Sequence, residues 1–165
     1  MKRKDGARGF SLIELLIVVA IILIIAAIAI PNYWKARMAA NESAATSAIR
    51  TINSAEVSYL TAYPTAGFAS MSGLAGASPC TPSSTTGCFI DNNLATATAA
   101  PGKSGYVYTL TNTGSQYMIA AHPNVPATSG TRTFCSVEDG VIRFDSTGGA
   151  VASHAACLAL PGIQQ

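Results

Sequence analysis

One carboxylate, Glu14, stands near the start of an apolar run that carries no further charge before Pro31. The local sequence is Gly9-Phe10-Ser11-Leu12-Ile13-Glu14-Leu15-Leu16. An ionised acid held in hydrocarbon costs roughly 3 kcal/mol on insertion scales, so such a residue needs a partner. The residues upstream offer one. Lys2, Arg3, Lys4 and Arg8 lead up to Gly9, and a cut after Gly9 would leave a positive amino group on Phe10. Glu14 follows four residues later, about 6 Å along a helix axis. The chemistry available here is ion pairing in a low dielectric, where a matched pair attracts strongly and an unmatched charge is costly. The plainer alternative is that Glu14 snorkels to water at the nearer membrane face.

The other reactive side chains form no such pattern. His122 and His154 are far apart in the chain. Serine and threonine are abundant without a nucleophile motif, and no Gly-rich phosphate loop or haem attachment motif is present. Asp139 and Asp145 are two scattered carboxylates, whereas a calcium site wants about six or more oxygens. Glu138-Asp139-Gly140 reads more simply as a turn. No enzymatic activity, cofactor or metal is therefore expected. Tyr33, Trp34, Tyr59, Tyr63 and Phe68 could be imagined as an electron path, but interfacial anchoring and core packing explain them equally well.

The elements that must position Glu14 follow from hydropathy. Apolar residues dominate from Phe10 to Ile30, long enough to span a bilayer as a helix. A secretory signal has a shorter apolar core and a small-residue cleavage site beyond it. This run continues instead into Pro31-Asn32-Tyr33-Trp34. Four basic residues precede the span and two, Lys35 and Arg37, follow it closely. That asymmetry predicts a single pass with the N-terminus cytoplasmic, and Tyr33 and Trp34 stand where interfacial aromatics belong. The formal charge of +2 does not mark a basic protein. Without residues 1–9 the ten Lys/Arg become six and the eight Asp/Glu become seven, a side-chain charge of −1. No basic patch is left to bind nucleic acid.

Beyond the span the helical pattern continues. Residues 36–63 contain no Pro or Gly, and Ala45, Ile49, Ile52, Ala55, Tyr59 and Tyr63 recur at spacings of three or four. They form one apolar stripe, with Asn41, Glu42, Ser47, Arg50 and Ser54 largely off it. The expectation is one helix over residues 10–63, kinked at Pro31 by a lost hydrogen bond and a ring clash. Pro64 ends it. Residues 64–104 read as a long connection rich in Gly and Pro, with a polar tract at residues 81–86. Alternation over residues 106–111 and 116–120 predicts a hairpin turning at Asn112-Thr113-Gly114. A second hairpin is expected over residues 132–137 and 141–144. The fold class is thus α+β: a long N-terminal helix, apolar then amphipathic, laid on about four antiparallel strands. The expected divisions are residues 1–9, removed by cleavage; 10–31, membrane or assembly core; 32–63, amphipathic helix; 64–104, connection; and 105–165, sheet and C-terminal loop.

The four cysteines lie beyond the span, in a compartment where disulfides persist. They allow three pairings. Cys80–Cys88 with Cys135–Cys157 is favoured because the two loops do not cross. A zinc site built from Cys135, His154 and Cys157 is the alternative, although its spacing matches no familiar zinc module.

The segment Gly9-Phe10-Ser11-Leu12-Ile13-Glu14-Leu15-Leu16-Ile17-Val18-Val19-Ala20, continuing through Ala26-Ala27-Ile28-Ala29-Ile30-Pro31-Asn32, resembles the class III leader junction of type IV pilins and type II secretion pseudopilins. The resemblance is close over about the first 35 residues and architectural beyond them. It implies that Gly9 ends a leader cut by a prepilin peptidase, that Phe10 becomes an N-methylated terminus, and that Glu14 pairs with the Phe10 amine of a neighbouring subunit. It also implies a helix packed on an antiparallel sheet, with a disulfide such as Cys135–Cys157 bounding a C-terminal loop. The implied partners are identical or related subunits, the peptidase, the inner-membrane assembly machinery and, before assembly, lipid. The implied product is a surface filament for adhesion or motility. A secretion pseudopilin and a minor tip subunit binding a surface or DNA are the alternatives. One departure is plain: many relatives carry a glycine inside the span, where this chain has Ala20 and Leu23.

Overall fold

A computed structural model describes residues 10–163. The expected leader, including Gly9, lies outside the described residues. The chain divides into two units, Met1–Ala36 and Arg37–Gln165. One helix, α1 (Leu12–Ala62), contributes to both and continues through Pro31. Tyr63 donates its backbone N–H to Tyr59 at 2.8 Å as the last turn closes. Pro64, with no N–H to give, follows immediately.

In the N-terminal unit every large apolar side chain from Leu12 to Ile30 is exposed. In the C-terminal unit α1 buries Ala45, Ala48, Ile49, Ile52, Ala55 and Tyr59. That stripe packs on one face of a four-stranded sheet with strand order β1-β2-β3-β4. The strands are β1 (Tyr106–Asn112), β2 (Tyr117–Pro123), β3 (Thr133–Val137) and β4 (Arg143–Asp145), each antiparallel to its neighbour. The register pairs Tyr108 with Ala121, Ile119 with Ser136 and Phe134 with Phe144. Gly140 holds φ +71° in the turn after β3, a left-handed conformation that a Cβ would strain.

Alternation then sorts the side chains. Tyr106, Tyr108, Tyr117, Ile119, Ala121 and Phe134 meet the α1 stripe in the main core. Met118, Ala120, Cys135 and Val137 face the other way and pack with Cys157, Val151 and Leu160. The C-terminal segment therefore covers the back of the sheet. It carries a short helix, α4 (His154–Leu158). This is why β3 is buried along its whole length and why β2 runs to Pro123 rather than ending near residue 120. Ala120-Ala121-His122 offers no polar/apolar alternation once both faces are covered.

The connection is more structured than its composition suggests. It contains two single-turn helices, α2 (Met71–Leu74) and α3 (Asn92–Ala95). Ser70 Oγ accepts the Gly73 N–H at 3.1 Å and Asp91 Oδ1 accepts the Leu94 N–H at 2.6 Å, the hydrogen bonds of N-caps. Met71, Leu74 and Leu94 plug into the main core. Cys80 is bonded to Cys88, and Cys135 to Cys157, each with Cα atoms 6.0 Å apart. With all four thiols consumed and His154 bound to Glu138, a zinc site has no ligands left there.

Candidate assembly interface

Ser11-Leu12-Ile13-Glu14 has the spacing of a capping box, Ser-x-x-Glu, at the start of a helix. Glu14 Oε2 accepts the Ser11 backbone N–H at 3.0 Å, satisfying one of the donors a helix start leaves open. Sequence reasoning assigned Glu14 to pairing with an amine and overlooked this local role, although the signature was legible. A carboxylate in the first turn also faces the positive end of the helix dipole. Glu14 is thus fixed beside the chain segment that carries Phe10, itself 75% exposed.

Around it stands a column with no intramolecular cover. Leu16, Ile17, Ile21, Leu23, Ile24 and Ile28 are each more than half exposed. Burying one such side chain is worth about 1.5–3 kcal/mol. The helix is long and apolar enough to cross a membrane. Two media satisfy such a column: lipid, or other apolar helices packed against it. Tyr33 and Trp34 follow the column and meet edge to face, with ring centroids 5.8 Å apart.

The C-terminal unit disposes of its charges differently. Glu42 accepts the Thr131 N–H at 3.0 Å, the Thr131 hydroxyl at 2.9 Å, and Arg132 Nε and Nη2 at 2.9 and 2.7 Å. The Arg132 guanidinium also lies over Phe134 and Phe144, 5.4 and 5.6 Å from their ring centroids. Burial alone would raise the Glu42 pKa, but the bonds from Thr131 and Arg132 outweigh it and hold the carboxyl below its ordinary value. Glu56 is fully buried. Its Oε2 accepts the Ala69 N–H at 2.9 Å, while Oε1 has no partner among the described residues. Burial pushes its pKa up to about 7, against the smaller opposing effect of the Ala69 bond. Glu42 belongs on the stripe rather than off it. Positions 42, 45, 49, 52, 56 and 59 continue the three-four spacing, so the same signal could have placed both acids inside.

The remaining polar candidates are engaged locally. Asp139 binds Arg143 at 2.6 Å, and Asp145 accepts from the Thr147 hydroxyl at 2.6 Å and its N–H at 3.0 Å. His154 meets Glu138 at 2.8 Å. No group of three or more metal-ligating side chains occurs among the described residues. Tyr59 packs with Tyr63 and Phe89, and Phe68 with Tyr117, as parts of the core and its margin.

Comparison with known proteins bears on this apolar column. The prokaryotic N-terminal methylation motif is matched over residues 4–30. The chain is 58% identical over 41 residues to the type IV wide pilus major component PilA4 of Thermus thermophilus. It is 50% identical over 52 residues to the type IV major pilin protein PilA of Myxococcus xanthus. Over these residues the chain is similar to the N-terminal segments of type IV pilins. The matches cover 25% and 32% of this chain, and 31% and 24% of those relatives' own lengths. No solved structure matches. The likeness therefore identifies the methylation segment, and the work of the whole protein has to be argued from its own residues.

Proposed function

We propose that this protein is a structural subunit of a bacterial type IV pilus. It enters the inner membrane as a prepilin with its N-terminus cytoplasmic. It is cut after Gly9 by a prepilin peptidase, methylated on the Phe10 nitrogen and polymerised into a surface filament serving adhesion or motility. The observation that carries this reading is a methylation motif, residues 4–30, on an apolar helix exposed on every side.

The physics of assembly follows. Before cleavage the Phe10 nitrogen is an uncharged amide, and Glu14 meets no cation there. Cleavage creates a cation in the same layer of the bilayer. A subunit moving from lipid into a growing bundle then exchanges lipid contacts for helix packing and matches its carboxylate to a neighbour's amine. Packing supplies most of the cohesion. The pair chiefly fixes register, because a slipped neighbour leaves a charge uncompensated in low dielectric. Pro31, by removing one helical hydrogen bond, is where α1 bends as the bundle forms. Cys135–Cys157 bounds the C-terminal segment that packs on the back of the sheet. The names of the two relatives, a pilus major component and a major pilin, support a major subunit over a tip subunit or a pseudopilin.

Sheared surface fibres, analysed by mass spectrometry, test this directly. The expected result is an abundant fibre protein beginning at a methylated Phe10. A mature protein retaining Met1, or absent from fibres, would overturn it.

A further inference from the structure

Charge bookkeeping in the C-terminal unit leaves a remainder. Among the described residues from 38 onward, Lys103 pairs with Asp91, Arg132 with Glu42, Arg143 with Asp139, and Glu138 with His154. Three groups are left over. Glu56 is sealed in the core. Arg50 is exposed on α1 with no ion-pair partner, and Asp145 is partly exposed, bound only within its own turn to Thr147.

The two surface groups lie on opposite sides of the fold. Arg50 adjoins Ile49 on the helix that covers the front of the sheet, and it borders two clefts of ≈ 400 and ≈ 260 Å³. Ser47 and Ser54, at i−3 and i+4, stand beside it on the helix and line the larger cleft. Asp145 follows Phe144, whose ring packs against the front core. Strand alternation therefore sends Asp145 to the back, beside its register partner Thr133. A group at the front that lacks an anion and a group at the back that lacks a cation cannot meet within one molecule. They can meet between copies stacked front to back. That is the heterologous contact which, if it does not close into a ring, generates an open helical filament.

Resting on the filament reading above, we infer that the Arg50 face of α1 docks the β4 end of a second copy of this chain, with Arg50 and Asp145 forming an ion pair between subunits. The planar guanidinium suits a carboxylate held in a tight turn, and the hydroxyls of Ser47 and Ser54 offer further hydrogen bonds at the rim of the cleft.

Charge reversal in the full-length chain tests it, with sheared-filament yield as the readout. R50E and D145R place like charges together and should each lower yield by about fivefold or more. The double variant R50E/D145R restores the pair in reverse and should recover yield to within about twofold. Charge-neutral R50Q and D145N guard against misfolding: the double should lose no more than the worse single, the mark of a shared interaction. Matching thermal melts of detergent-extracted subunits establish that each variant folds. Reversal variants that assemble normally, a swap that fails to recover, or additive losses in the charge-neutral pair would overturn the contact. Rescue of D145R by K35E instead of R50E would assign Asp145 to the other described cation without a partner and also overturn it. A wild-type chain that builds no fibre, or keeps Met1, would remove the filament reading and this contact with it. Normal wild-type fibres with undisturbed single variants would remove the contact alone.

Discussion

The N-terminal half of α1 exposes its apolar side chains all round and carries one carboxylate, Glu14, whereas the C-terminal half buries a stripe that includes two, Glu42 and Glu56. All three are acids on one helix, yet their solutions differ. Glu42 has a complete set of partners in its own chain. Glu56 has half a set. Glu14 has a single backbone N–H and an apolar column around it that invites other molecules. A buried charge satisfied in cis reports on folding, while one left with spare capacity on an uncovered helix reports on association.

The sharpest way to break this contrast is at Glu42. E42A should destabilise the C-terminal unit by about 3 kcal/mol, because it leaves Arg132 and the 131–132 backbone without their acceptor. Denaturant unfolding would measure it, and a loss below about 0.5 kcal/mol would mean the network is ornamental. Its pH dependence has a definite sign. The Glu42 pKa is lowered in the folded state, so its contribution is present above the unfolded value and fades as pH falls through the folded one.

Glu56 should behave in the opposite sense. Its folded pKa, about 7, lies above the ordinary 4.5. The stability tied to its proton is fully present below pH 4.5 and lost as pH rises through about 7. E56Q should therefore gain about 2 kcal/mol relative to wild type at pH 8 and almost nothing at pH 4. Melts at both pH values decide it, and an equal shift at each would show that the carboxyl never ionises in place.

The smallest effect in energy is expected at Glu14, although it is the most visible in function. E14Q keeps an oxygen for the Ser11 N–H but removes the charge. Filament yield should fall at least about tenfold, equivalent to about 1.4 kcal/mol, with the prepilin still processed and the C-terminal unit melting normally. E14Q fibres at wild-type abundance would reduce Glu14 to a helix cap.

Much of the fold was legible because its signals are periodic. The long helix, the two hairpins and the stripe on the sheet follow from spacings of 3.6 and 2. The hidden parts share a cause: a second layer conceals periodicity. The C-terminal segment covers the back of β2 and β3 and erases their alternation, and nothing in Ala155-Ala156-Cys157-Leu158 announces a covering helix. In the connection, Ser70 and Asp91 caps set helices too short for any periodic signal. At the candidate interface the apolar column and Glu14 were evident from composition. The Ser11 cap was spelled out in four residues but outweighed by attention to charge. Glu42 was misplaced because a carboxylate was assumed to mark solvent, when spacing alone put it on the buried side.

The end of the chain also settles where the sheet stops. Gly162 pairs with Arg143, Phe144 donates its N–H to Pro161, and Ile163 donates to Ile142, so the outer side of β4 already has a neighbour. At the opposite margin Tyr108 gives its N–H to Ala97. Copies of a subunit packed side by side, as in the filament proposed above, are at risk of strand-to-strand fusion. Here residues of the same chain take up part of both edges. In the proposed filament, contacts between copies would then run through side-chain surfaces, which can be released as well as joined, rather than through a permanent backbone ladder.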